Sequence, residues 1–145
     1  MRVGFYLLQR DPVERALPQI AAKAMETGQR MLVVSGDAGL LDRLDAALWS
    51  EKADSFLAHG RADQPHAERQ PILLSQQCEA TNGARLCALA DGEWREEVLG
   101  FERVLLFFDD ARRVAARQVW RSLDALENVE REFHEQQGGR WRKVA

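Results

Sequence analysis

The stretch VGFYLLQRDPVERALPQIAAKAMETGQRMLVV, residues 3–34, decides the fold. It opens and closes on short apolar runs, Val3 to Leu8 and Met31 to Val34, each rich in β-branched or aromatic residues and each the length of a buried strand. Between them Val13, Ala16, Leu17, Ile20, Ala21 and Ala24 recur at helical spacing. Asp11-Pro12 reads as a helix start, with the carboxylate as N-cap and proline at the first helical position, and Gly28 reads as the stop. Pro18 either kinks this helix or marks its true beginning. A connection of this length and type joins parallel strands through a right-handed crossover rather than a hairpin.

The pattern then repeats. Ser35-Gly36-Asp37 turns the chain into a second helix from about Ala38 to Ser50, with Leu40, Leu41, Leu44, Ala47 and Leu48 on its inner face. Ser55-Phe56-Leu57 reads as a short third strand, and the polar stretch from Ala58 to Gln70 as a loop. Pro71 to Ser75, Arg85 to Leu89 and Arg103 to Phe108 are further strands, with turn signals at Asn82-Gly83 and Asp91-Gly92. Asp109-Asp110 caps a helix with the stripe Ala111, Ala115, Val119, Leu123 and Leu126. Beyond Asn128 the chain either prolongs that helix or turns back at Gly138-Gly139 as a hairpin. The sum is one α/β domain over residues 1–145: a three-layer open sheet, mostly parallel, of nucleotide-binding-like topology.

Composition agrees with a packed domain and narrows the function. The 145 residues are 46% hydrophobic and 30% charged, with net charge −3, so overall charge gives no reason to bind DNA. No apolar run is long enough to cross a bilayer, and the first residues lack a secretion signal, so a cytoplasmic location with no membrane contact is expected. Two cysteines, Cys78 and Cys87, read as unpaired thiols. No phosphate-binding glycine motif follows any strand: Gln9-Arg10-Asp11-Pro12 has no glycine, and Ser35-Gly36-Asp37-Ala38-Gly39 carries an aspartate that opposes an anion, which makes it an ordinary N-cap. His59, His66 and His134 show no metal-ligand spacing with the cysteines. No catalytic residue, metal or cofactor is expected.

One arrangement invites a sharper reading. Arg113, Arg117 and Arg121 lie at i, i+4 and i+8 on one helix face, opposite the stripe above and therefore toward solvent, with Trp120 at the boundary. Three guanidiniums beside an aromatic wall suit an acidic peptide ending in a free carboxylate. On spacing alone a solvated helix face explains them as well. Trp49 and Phe56, flanking a polar connection, suit either inward packing or an exposed patch for a partner.

The opening Phe5-Tyr6-Leu7-Leu8, the segment Leu44-Asp45-Ala46-Ala47-Leu48-Trp49 followed by Ser55-Phe56-Leu57 and His59, and the helix Ala116-Arg117-Gln118-Val119-Trp120-Arg121 together resemble the chi subunit of bacterial DNA polymerase III holoenzyme. The resemblance implies a non-catalytic adaptor that bridges the clamp loader, through the psi subunit, to single-stranded DNA-binding protein, so that DNA is met indirectly. It implies that Trp49 and Phe56 face psi, another clamp-loader component or an accessory helicase. It places Arg113, Arg117, Trp120, Arg121 and the apolar Leu106 in the pocket for the acidic C-terminal tail of single-stranded DNA-binding protein, with Arg117 on the terminal carboxylate. Trp120 and Arg121 stand where some relatives have tyrosine and lysine, which keeps aromatic and cationic character. Phe133, Gln136, Gln137, Gly139, Arg140 and Trp141 resemble the ending of a subset of the family and favour the hairpin. Two rivals remain at this point: a nucleotide-binding enzyme or sensor, and a direct single-stranded DNA binder along the arginine ridge.

Overall fold

In the computed structural model, which describes residues 1–50, 57–137 and 140–145, eight strands form one sheet. They are β1 (Arg2–Leu8), β2 (Met31–Val34), β3 (His59–Arg61), β4 (Ile72–Ser75), β5 (Leu86–Leu89), β6 (Arg103–Asp109), β7 (Glu130–Gln137) and β8 (Arg140–Lys143), in the spatial order β3-β4-β2-β5-β6-β1-β7-β8. Every neighbouring pair is parallel except β7 with β8. Helices α1 (Val13–Glu26) and α2 (Ala38–Ser50) pack on one face, and the shorter α3 (Arg113–Ser122) packs on the other. The α/β open sheet expected from the sequence is the observed architecture.

The strands β1, β2, β4, β5 and β6 are largely apolar on both faces because both faces are covered. Along β1, Val3, Phe5 and Leu7 point to the α3 side and Tyr6 to the side of α1 and α2. Along β6, Val104, Leu106 and Phe108 point to the α3 side, and Leu105 and Phe107 to the other. β1 and β6 are neighbours, yet their following helices leave to opposite faces, which opens a crevice at the carboxyl ends of the central strands.

The first helix differs from expectation at its start. Pro12, not Asp11, holds the N-cap position, and no side chain caps it. Pro18 lies inside the helix, buried, so it neither begins the helix nor ends it. The carboxyl end follows the sequence reading: Gly28 adopts φ +75°, and the amides of Gly28 and Gln29 bond back to the carbonyls of Met25 and Ala24, which turns the chain sharply toward β2. In α2, the Asp37 carboxylate accepts the Gly39 amide at 2.9 Å, the N-cap role expected of it.

Two segments correct the sequence reading. The third strand is His59–Arg61, inside the stretch read as a loop, whereas Leu57 is buried outside any strand. Ser55 and Phe56 lie outside the described residues. The stripe of α3 is also rotated. Ala111, Ala115 and Leu126 are exposed, and the side that meets the sheet is Ala116, Val119, Trp120 and Leu123. Those four keep the i, i+3, i+4, i+7 spacing of an inward face. After α3 the chain turns back as the β7–β8 hairpin.

Candidate functional site

Three neighbouring strands, β6, β1 and β7, each raise an aromatic ring on the α3 side: Phe108, Phe5 and Phe133. Phe5 and Phe133 are register partners, so their side chains stand side by side. Above this apolar floor α3 presents Ala116, whose single methyl fills little space, and a hollow of about 260 Å3 remains. Its lining is Phe5, Phe108, Ala116, Trp120, Phe133 and Ala145, with Arg113 and Arg117 from α3.

Trp120 is held on several sides. It meets Phe5 edge-on with ring centroids 5.1 Å apart, and Phe133 at 6.5 Å. The Arg131 guanidinium sits 4.8 Å from its ring centroid, donates from Nη1 to the Trp120 carbonyl at 2.5 Å and pairs through Nη2 with Asp124 at 2.5 Å. Arg131 thus fixes the aromatic wall. Its only signal in the sequence is a charge within a mixed run, which says nothing of a partner on another element.

The arginine ridge splits when it is placed on the fold. Arg113 is half-buried, donates from Nε to Asp110 at 2.9 Å and lines the hollow. Arg117 also lines the hollow and is exposed, with no hydrogen-bond or ion-pair partner among the described residues. Arg121 is exposed as well, one turn further on, and lies outside the hollow. Leu106 is buried in the sheet beneath α3 and does not line the hollow; Phe108, two residues later on the same face, does. Chemically the site offers an apolar floor, one aromatic wall and two guanidiniums at the rim. That combination fits an apolar side chain attached to a carboxylate.

At the other edge of the sheet, Trp49 stands exposed near the end of α2, its ring 4.6 Å from that of His59 on β3. His59 lies between the Leu57 carbonyl, 2.7 Å from Nδ1, and the Asp45 carboxylate, 2.5 Å from Nε2. Phe56 lies outside the described residues, so the geometry of the second expected surface rests on Trp49 alone.

The crevice at the carboxyl ends of the strands is larger, about 810 Å3, and strongly acidic. Six carboxylates, among them Asp37, Asp91 and Asp109, line it against three guanidiniums. Burial pushes the Asp91 carboxyl up, but the Arg95 guanidinium and the amides of Gly36 and Glu93 outweigh burial and hold it below the ordinary carboxylate range. At the first strand-to-helix turn the amides of Gln9, Arg10 and Asp11 converge on one oxygen, Gln136 Oε1, at 3.0, 3.1 and 3.1 Å. The sequence reading expected no such convergence without a glycine. The amides do converge, and a side chain from β7 occupies the place where an anion would sit. Among the described residues, no three His, Cys, Asp or Glu side chains gather closely enough to hold a metal ion, and no helix is long and apolar enough to cross a membrane.

Residues 1–129 match the family model described as DNA polymerase III chi subunit, HolC. The chain is also similar to DNA polymerase III subunit chi of Escherichia coli (strain K12), 37% identical over 78 residues that cover 49% of this chain and 53% of that protein. It thus spans about half the length of that relative. Residues 130–145, the β7–β8 hairpin and the chain end, lie beyond the matched region.

Proposed function

The chain belongs to the family of DNA polymerase III chi subunits, and from that premise we propose that it is a single-domain, non-catalytic adaptor of the replicative polymerase holoenzyme. One surface binds the acidic C-terminal tail of single-stranded DNA-binding protein. The other binds the clamp loader through a psi subunit or another component.

The observation that carries this reading is the meeting of Arg113, Arg117 and Trp120 on the rim of one apolar hollow. Arg117 grips the α-carboxylate of the incoming tail, and the apolar end of the tail drops onto Phe5, Phe108 and Phe133. Leu106 supports that floor from within the sheet. Arg113 and Arg121 attract the acidic residues that precede the end. Trp49 and Phe56 form the clamp-loader face. One feature of the geometry favours a bridge. Trp49 contacts β3 at one edge of the sheet and the hollow opens over β7 near the other, with six strand spacings between them, roughly 29 Å at ~4.8 Å per step. Two partners would then bind without collision. The acidic crevice, with its amides already bonded to Gln136, speaks against a nucleotide at the carboxyl ends of the strands.

Calorimetry with a synthetic acidic peptide ending in a free α-carboxylate tests the reading. The expected outcome is salt-sensitive binding that is lost when the peptide end is amidated. Equal binding of the amide, or none of either peptide, refutes it. Stabilisation by a nucleotide in a thermal-shift screen, or tight salt-dependent binding of single-stranded DNA alone, would favour one of the other classes.

A further inference from the structure

The hollow has a second wall that the arginine helix does not supply. Phe133 and Ala145, which line it, belong to the chain beyond residue 129. Alternation along β8 sorts the side chains there. Trp141 faces the α1 and α2 side, edge-on to Tyr6 with centroids 5.0 Å apart. Arg140 and Arg142 therefore project on the opposite side, the side of Phe133 and α3. Both are exposed. Arg142 reaches Glu135 only at 3.9 Å, and the Arg140 side chain has no hydrogen-bond or ion-pair partner among the described residues.

Two arginines on an outermost strand have an ordinary explanation, since charge on a free edge discourages strand pairing. That explanation is indifferent to the face they take. Here they take the face of the hollow, in a protein of net charge −3, and add to the positive field of Arg113 and Arg117. Arg113 and Arg117 line the hollow itself, and Arg140 and Arg142 stand outside its lining on the same face of the sheet. Like charges gathered on one face favour anions in the groove between them. A single chain end brings one α-carboxylate, which Arg117 alone can hold.

We propose that Arg140 and Arg142 form the second cationic wall of this groove and receive the aspartates or glutamates that precede a chain end seated in the hollow. The occupant is an extended acidic segment, and the proposal rests on the reading that a carboxyl-terminal peptide binds there. β8 adds to the preference for acidic over neutral tails that Arg113 and Arg121 give, whereas Arg117 and the aromatic floor hold the end itself.

The test uses the full chain and two peptides with the same apolar, carboxylate-bearing end, one with aspartates upstream and one with asparagines in their place. In the double variant Arg140→Ala/Arg142→Ala, affinity for the aspartate peptide should fall about fivefold, the size expected of two exposed charge pairs, and its salt dependence should flatten. Affinity for the asparagine peptide should hardly change. The double variant Arg140→Glu/Arg142→Glu should prefer a peptide with lysines upstream, a gain that damaged folding would not produce. If the alanine variant binds both peptides like the wild type while Arg117→Ala does not, the second wall is refuted and the hollow stands. If the wild type binds neither peptide, both readings fall. A change in the sedimentation of the free variant, with peptide binding intact, would assign the two arginines to guarding the β8 edge and overturn the proposal.

Discussion

The ring of Trp120 stands edge-on to that of Phe5, with centroids 5.1 Å apart and planes inclined at 64°. This contact joins α3 to the central strand of the three that floor the hollow, so one side chain serves both packing and the site. Replacing Trp120 by alanine removes that contact, the ring under Arg131 and one wall of the hollow. For a half-buried tryptophan the expected loss is about 2 kcal/mol in urea denaturation, somewhat below the range for fully buried ones. Trp120→Phe should recover most of the stability. Denaturation midpoints of the two variants check this.

Ala116 faces the hollow and leaves it open. Leucine there should occupy the space without crowding packed atoms, so stability should stay within ~1 kcal/mol of wild type. Peptide binding should drop at least tenfold. Calorimetry paired with thermal unfolding reads both quantities, and undiminished binding would move the apolar end of the tail elsewhere.

The Arg117 side chain has no hydrogen-bond or ion-pair partner to lose among the described residues. Arg117→Ala should therefore leave the melting temperature unchanged while weakening the tail peptide by about 2 kcal/mol, the scale of a charge-assisted hydrogen bond. Arg117→Lys should recover only part, because an ammonium cannot make the two-pronged grip. An unaltered affinity in the alanine variant would remove Arg117 from the site.

Gln136 accepts three amides at once, from Gln9, Arg10 and Asp11. Gln136→Ala leaves all three to water at the edge of the crevice and should cost about 2 kcal/mol. Gln136→Glu keeps an acceptor oxygen in place and gives it charge, so it should retain more stability than the alanine variant at neutral pH. Hydrogen exchange at residues 9–11 should accelerate in the alanine variant and not in the glutamate variant.

Asp91 sits between Arg95, whose Nη2 is 2.8 Å away, and the amides of Gly36 and Glu93. Its folded-state pKa is depressed, so the stabilisation it gives is fully present above the unfolded carboxyl value of about 3.9. It is lost as pH falls below that value toward the folded one. Asp91→Asn should cost about 3 kcal/mol at neutral pH, where it leaves the Arg95 charge half-buried, and the gap to wild type should narrow near about pH 3. Denaturant melts at the two pH values measure the difference.

Much of this fold was legible because its signals are local. Buried parallel strands show as apolar runs, and Gly28 marks a helix end that needs a positive φ. His59–Arg61 escaped because histidine, glycine and arginine make no apolar run and the segment joins the sheet only through β4. The phase of α3 escaped for a related reason. Ala111, Ala115 and Val119 repeat regularly, yet a ten-residue helix is oriented by what lies under it, and Phe5, Phe108 and Phe133 come from distant strands. The arginine spacing was visible in the chain; the separation of Arg113 and Arg117 from Arg121 by the boundary of the hollow was not.

By itself, then, the sequence determined the α/β class, the strand–helix alternation and the residue types that resemble the chi subunits, since these depend on periodicity and composition over short windows. Tertiary structure alone decided that Arg131 clamps Trp120, that Gln136 fills the first turn and that Arg140 and Arg142 share a face with Phe133. Each of those relations joins parts of the chain that meet only when the sheet has closed. No local pattern encodes them, because the free energy that selects them comes from packing and hydrogen bonding between elements.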